Sequence, residues 1–266
     1  MLALLKRDFL LYFRNRSGVF FSLLGALISF LLYIIFLQKN LTDAWSQLPN
    51  NTSLLNSWLM GGTLAVTGIT TSFAALTQMV QDRENQVDQD LFLTDLGRWG
   101  LELSYLISSF VISFVMQVFM FIIMSLYFQE IPIMSHLLEI SLIMLLSSLL
   151  STLVNALLIY HFQSVDSLGK LATIIGTASG FLVGTYVPMG ILPNFAQVLM
   201  KCTPATYIAS LYRQVLMREQ LDSTFMGNNS LLEEFQEKLG VQIHWQELLT
   251  KEETYLIVVS ICLLTF

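Results

Sequence analysis

The sequence predicts an all-α, polytopic membrane protein, and three observations predict it. Of 266 residues, 55% are hydrophobic and only 12% are charged, against about 25% charged in an ordinary soluble domain. The mean hydropathy is +0.66. The apolar residues are gathered into uncharged runs that match a bilayer in length, and a water-soluble chain of this size has no core large enough to hide them all.

A spanning helix takes about 20 apolar residues to cross about 30 Å of hydrocarbon. Val19–Leu37 meets this without a charge, as do Trp58–Val80, Leu103–Phe128, Ile140–Tyr160 and Leu171–Leu192. A sixth run, residues 255–266, holds twelve residues, about 18 Å of helix. It is expected to be the beginning of a longer last span. Together these give six transmembrane helices in a single transmembrane domain, 1–266.

Basic residues set the expected orientation, because Lys and Arg in short loops stay on the cytoplasmic side. With the N-terminus inside, the inner segments hold Lys6, Arg7, Arg14, Arg16, Arg83, Arg98 and Lys170, while the short outer loops hold only Lys39. The chain is therefore read as a multi-pass protein of the plasma or inner membrane with a cytoplasmic N-terminus.

Three segments depart from plain spans and loops. In residues 1–17, Leu2, Leu5, Phe9, Leu10 and Phe13 share a helical face, flanked by Lys6, Arg7, Arg14 and Arg16. That pattern describes a helix lying in the membrane interface, its basic residues reaching lipid phosphates; a simple basic anchor for the first span is the alternative. In residues 81–102 a charged stretch precedes Val87, Leu91, Phe92 and Leu96 at helical spacing, with a break at Gly97–Gly100. A short amphipathic helix of this kind fits a groove on another protein. In Val187–Met217, Pro188, Pro193 and Pro204 cut an amphipathic stretch into short pieces that fold back toward the outer leaflet; residues 193–254 are expected outside, with Gly227-Asn228-Asn229 forming a turn.

Gly176, Gly180 and Gly184 stand at every fourth position of the fifth span, a small-residue face that lets helix backbones approach closely. It serves either a subunit interface or a helix of the same chain. Gly61, Ala65 and Gly68 make a weaker face of the same kind. The spans lack ionisable residues at depth, where ion-coupled transporters keep them; Gln117, Asn155, Thr67 and Thr70 are the deep polar groups. A P-loop is not present, because Gly169-Lys170 continues with Leu171 and Ser164 stands where the first glycine belongs. No metal, catalytic or cofactor motif is found, the two cysteines Cys202 and Cys262 form no framework, and an acidic chain of net charge −6 is unsuited to nucleic acid.

These features resemble the permease subunit of type-two ABC exporters, with the fold of the G-subfamily. Phe13–Phe30 (FRNRSGVFFSLLGALISF) is similar to that family's passage from elbow helix to first span, and Asp82–Leu96 (DRENQVDQDLFLTDL) to its acidic-Arg-Glu stretch and Leu-rich turn. Val187–Leu216 resembles its proline-bounded re-entrant region, with Pro204-Ala205-Thr206-Tyr207 in place of Pro-Leu-Thr-Tyr and Arg213 trailing. Asn85-Gln86-Val87, where many relatives have a Gly-Thr turn, Asp95 for Pro, and Gly25 near the usual first-helix proline depart from the pattern.

The resemblance implies an elbow helix, six spans and a coupling helix that sits on an ATPase, with Asp82, Arg83, Glu84, Val87, Leu91, Phe92 and Leu96 as coupling residues. It implies two ATPase subunits, which would hold the ATP and magnesium, and a second permease chain, identical or paralogous. The chain itself would bind no cofactor and catalyse nothing. The implied cargo is apolar or amphipathic, a drug or antimicrobial peptide before a lipid or polysaccharide. A non-transporting membrane scaffold or immunity protein is the alternative from another class.

Overall fold

Residues 1–46, 48, 51–93, 97–129, 134–225 and 229–265 are described in a computed structural model, the side chains of 134 and 135 excepted. Leu96 and the Gly227-Asn228 part of the expected turn lie outside the described residues.

The elements are α1 (Leu2–Arg14), α2 (Arg16–Leu32), a π-helical stretch (Tyr33–Leu37), α3 (Gln38–Ala44), α4 (Asn51–Glu84), α5 (Val87–Phe92), α6 (Gly97–Phe128), α7 (Met134–Ile159), α8 (Val165–Leu182), a 3-10 turn (Met189–Ile191), α9 (Asn194–Lys201), α10 (Pro204–Leu216), α11 (Arg218–Thr224), α12 (Asn229–Leu239) and α13 (Lys251–Thr265). The all-helical expectation holds. Among the described residues, four helices are long and apolar enough to cross a membrane: Arg16–Ala44, Asn51–Glu84, Gly97–Phe128 and His136–Ile159.

Helix α4 is the axis of the fold. In its most apolar stretch 83% of residues are buried, against 39% for α6, and its composition explains why. Gly61, Gly62, Thr63, Ala65, Thr67, Gly68, Thr71 and Ser72 present little bulk, so neighbours approach on every side. Its hydroxyls bond back one turn, Thr67 to the Thr63 carbonyl at 2.8 Å and Thr71 to that of Thr67 at 2.6 Å. The neighbours then donate to α4 backbone: Ser113 to the Gly68 carbonyl at 3.1 Å, Ser109 to that of Ser72 at 3.1 Å, and Asn155 Nδ2 to that of Ile69 at 2.9 Å. Tyr212 donates to Gln117 Oε1 at 2.7 Å, and Gln117 Nε2 to Ser148 Oγ at 2.8 Å. The deep polar residues Gln117 and Asn155 thus hold helices of this chain together, each such bond worth about 0.6 kcal/mol in a membrane, while Thr67 bonds only within α4.

Helix α10 is joined to this axis by a buried arginine. Arg213, 1% exposed, donates to the carbonyls of Gly184 (3.2 Å), Gly240 (3.1 Å), Leu239 and Trp58 (3.4 Å each) and lies over the Trp58 ring at 4.7 Å. A Cβ on Gly61 would meet Arg213, and one on Gly62 would meet both Arg213 and Thr185. Of the expected small-residue face of the second span, Gly61 is therefore where α10 seats, while a Cβ on Gly68 would meet Ser147 of α7 and Gln117 of α6.

The fifth long helix differs from expectation. The span read as 171–192 starts at Val165 and ends at Leu182, because Gly184 takes φ +71° and the amides of Thr185 and Tyr186 both return to the Gly180 carbonyl, at 2.9 and 3.1 Å. Gly176, Gly180 and Gly184 stand in three different surroundings, and a Cβ on Gly176 would meet open space. At Gly25 an added Cβ would stand 3.0 Å from the Gly176 carbonyl, marking the crossing of α2 and α8. The Tyr186 ring occupies the space a Gly180 side chain would need. Gly184 makes the turn.

Candidate functional site

The last turn of α4 carries Asp82, Arg83 and Glu84, and successive helical residues point about 100° apart. They therefore reach three different neighbours. Asp82, 3% exposed, accepts Arg7 Nη1 and Nη2 at 2.7 and 2.8 Å, the Tyr105 hydroxyl at 2.6 Å and Gln78 Nε2 at 2.7 Å. This ties α4 to α1 and α6. Arg83 donates to the carbonyls of Tyr160 and Phe162, 3.3 Å each, closing the carboxyl end of α7. The Glu84 carboxylate accepts the Val165 amide at 2.9 Å, at the first residue of α8.

Asp8 completes the cluster. It is 4% exposed and accepts Arg7 Nη1 at 2.9 Å and the Ser108 hydroxyl at 3.2 Å. Burial pushes its carboxyl pKa up, against the pull of Arg7. The bond to Asp82 pushes Arg7 the other way from neutrality, so its guanidinium stays charged.

Helix α5 hangs from this junction. Gln86, the residue before it, has φ 60°, a left-handed conformation that glycine adopts without strain. That is where the related pattern carries Gly-Thr. Val87 is half-buried, and Leu91 and Phe92 pack toward the chain's own core beside Leu4, Leu76, Val80 and Ile159. Two of the apolar positions read as groove-filling, Leu91 and Phe92, therefore pack on the chain itself. The outward edge is Gln89, Asp90, Leu93, Arg98 and Trp99, with Leu93 86% and Trp99 85% exposed.

The elbow residues divide. Lys6, Arg14 and Arg16 are exposed, as is Phe9 together with Leu2 and Leu10. Arg7 turns inward to Asp82 and is not available to a phosphate. On the inner side of α1 are Leu4, Asp8 and Tyr12, whose hydroxyl meets Ser22 Oγ at 2.7 Å. The outer side of α1 thus mixes Leu2, Phe9 and Leu10 with Lys6 and Arg14, an amphipathic and basic composition.

At the other end of the molecule Pro188 precedes the 3-10 turn, Pro193 precedes α9 and Pro204 is the first residue of α10. Tyr207 is 6% exposed. Its hydroxyl donates to the Lys201 carbonyl at 2.7 Å and accepts from Trp245 Nε1 at 3.1 Å. Sequence reasoning missed Gln78, Tyr105, Ser108 and Asp8. The one available signal was Asp8, an acid inside an otherwise basic elbow.

A family-wide description of ABC-2 type transporters matches residues 1–217. No curated protein and no solved structure matches the chain.

Proposed function

The chain belongs to the ABC-2 type transporter family, and from that premise we propose that the corner formed by α5 and the start of α6 is where its ATPase engages it. The permease subunit of an ABC transporter is membrane-embedded and works with an ABC ATPase component. The observation that carries the proposal is the pair Leu93 and Trp99, nearly fully exposed among Gln89, Asp90 and Arg98. Charged neighbours keep this corner out of hydrocarbon, and an apolar pair rimmed by polar groups is the composition of a protein contact. Behind it, Asp82, Arg83 and Glu84 connect α5 to α1, α6, α7 and α8, so force applied at the corner reaches four helices at once.

On this reading the N-terminus and the corner are cytoplasmic. Helix α8, about 27 Å long, and α13 complete six crossings, and the α9–α10 turn enters the membrane from outside. Two such chains pair with two ATPase subunits, ATP and magnesium being held by the latter. The cargo moves outward and is apolar or amphipathic, a drug or antimicrobial peptide in preference to a lipid or polysaccharide. The spans' polar groups at depth support this, because they are amides and hydroxyls, such as Gln117, Asn155 and Thr67, and present no fixed charge to a polar cargo.

The test is co-purification of the ATPase with the Leu93→Asp, Trp99→Asp double variant in mild detergent. We expect the ATPase to be lost while the permease keeps its melting temperature, since both side chains are exposed. Full recovery of the ATPase and of substrate-stimulated ATP turnover would refute the docking assignment.

A further inference from the structure

A cavity of about 240 Å³ lies between α4, α7, α8 and the joint of α9 and α10. Its walls are almost wholly apolar, built from Ile69, Leu150, Val154, Ala178 and Leu182. Two of the flanking helices are among those long enough to cross a membrane, and Ile174 and Leu158 at the rim are 62% and 44% exposed. Such a cavity opens to lipid, so hydrocarbon, not water, is what meets its mouth.

Its polar content is small and unusually placed. Asn155 Nδ2 is spent on the Ile69 carbonyl and Ser72, the Ser179 hydroxyl on the Gly176 carbonyl and the Thr203 hydroxyl on that of Leu199. Ser151 is different. It is 8% exposed, lines the cavity, and has no hydrogen-bond partner among the described residues. A hydroxyl that lines an apolar cavity without a protein partner is satisfied by whatever the cavity holds. Opposite, α10 starts at Pro204, which also lines the cavity, and the positive end of a helix favours an acceptor oxygen.

We propose that this cavity binds the aliphatic body of an uncharged amphiphile taken from the lipid phase, with one carbonyl-type oxygen accepting from Ser151 Oγ beside the start of α10. A charged head is disfavoured because the lining has no opposite charge. Two sources share this chemistry, a resident membrane lipid and a transported amphiphile. The inference needs only that the chain is membrane-embedded; choosing between the sources rests on the transporter reading.

The test uses the full chain in lipid nanodiscs with two photoreactive probes, a diazirine-bearing methyl palmitate and a diazirine-bearing hexadecane. Labelled peptides are mapped by mass spectrometry. Methyl palmitate should concentrate in residues 150–158 and 174–182. Ala178→Phe, which fills the space, should abolish that label while label at lipid-facing Phe119 and Ile122 persists. Ser151→Ala should cut the ester label about fivefold, one neutral hydrogen bond, and leave the hexadecane label unchanged; this arm decides the matter even if Ala178→Phe does not fold. Label spread evenly over all lipid-facing helices, or equal response of both probes to Ser151→Ala, overturns the proposal. With the ATPase bound, loss of label under MgATP identifies a transported amphiphile and persistence identifies a resident lipid. Absence of an ATPase complex would count against the transporter reading and leave the labelling result standing.

Discussion

Arg7→Gln releases the elbow helix, and the size of the effect follows from the cluster around Asp82. Removing one partner of a buried ion pair costs about 3–5 kcal/mol, because the other charge is left without compensation. Here Asp82 is 3% exposed but keeps Tyr105 and Gln78, and the Arg7 side chain is 29% exposed. Those two facts bring the expected loss down to about 2–3 kcal/mol. The loss is local, since Arg7 joins α1 to α4. Hydrogen exchange of the α1 amides should therefore accelerate on the order of 30- to 150-fold, while α13 amides stay protected. Asp82→Asn should cost a similar amount. The double variant should cost less than the sum by about 1–2 kcal/mol, since neither charge is then stranded. Coupling below about 0.5 kcal/mol, or acceleration spread over the whole chain, would refute the view that this pair holds the elbow.

Arg213→Met should cost at least about 3 kcal/mol by melting in mild detergent, because four buried carbonyls lose their donor, and Arg213→Lys should not rescue it, as an ammonium cannot fork toward carbonyls on separate elements; stability within 1 °C of wild type for either variant would contradict this. Gln86→Gly should raise stability by about 0.5–1 kcal/mol by relieving the left-handed φ, and a lowered melting temperature would show that the Gln86 side chain contributes more than its backbone costs. Asp8 has a pKa raised on folding, so the folded state binds more protons than the unfolded one between the ordinary aspartate range near 4 and the raised value. Its contribution is therefore greatest at low pH and lost as pH rises through that window. Asp8→Asn should flatten this part of the melting profile between pH 4 and 8 and leave stability at pH 7 unchanged or higher; an unaltered profile would remove Asp8 from the account.

What was legible in the sequence is what one-dimensional signals carry. Apolar runs without charge gave α2, α4, α6 and α7, because the bilayer fixes both composition and length. The family was readable at DRENQVDQDLFLTDL and at the proline-bounded stretch, since those residues lie near one another in the chain. The failures share one cause, that helical spacing says which residues share a face and not what the face meets. Leu91 and Phe92 satisfy the pattern of a groove-filling helix and also pack beside Leu76 and Ile159, while Leu93 and Trp99 are the more exposed positions. The glycine spacing at 176, 180 and 184 is a helix-packing pattern only while the helix continues. Gly184 in a left-handed conformation stops it, with Tyr186 folded onto Gly180. The resemblance makes Asp82, Arg83 and Glu84 coupling residues, but their partners Arg7, Phe162 and Val165 lie tens of residues away in sequence, so no local pattern shows the contacts. Consecutive charges at the end of a buried helix necessarily point in different directions. In a chain with only 12% charged residues, such a triplet joins one helix to several neighbours at once.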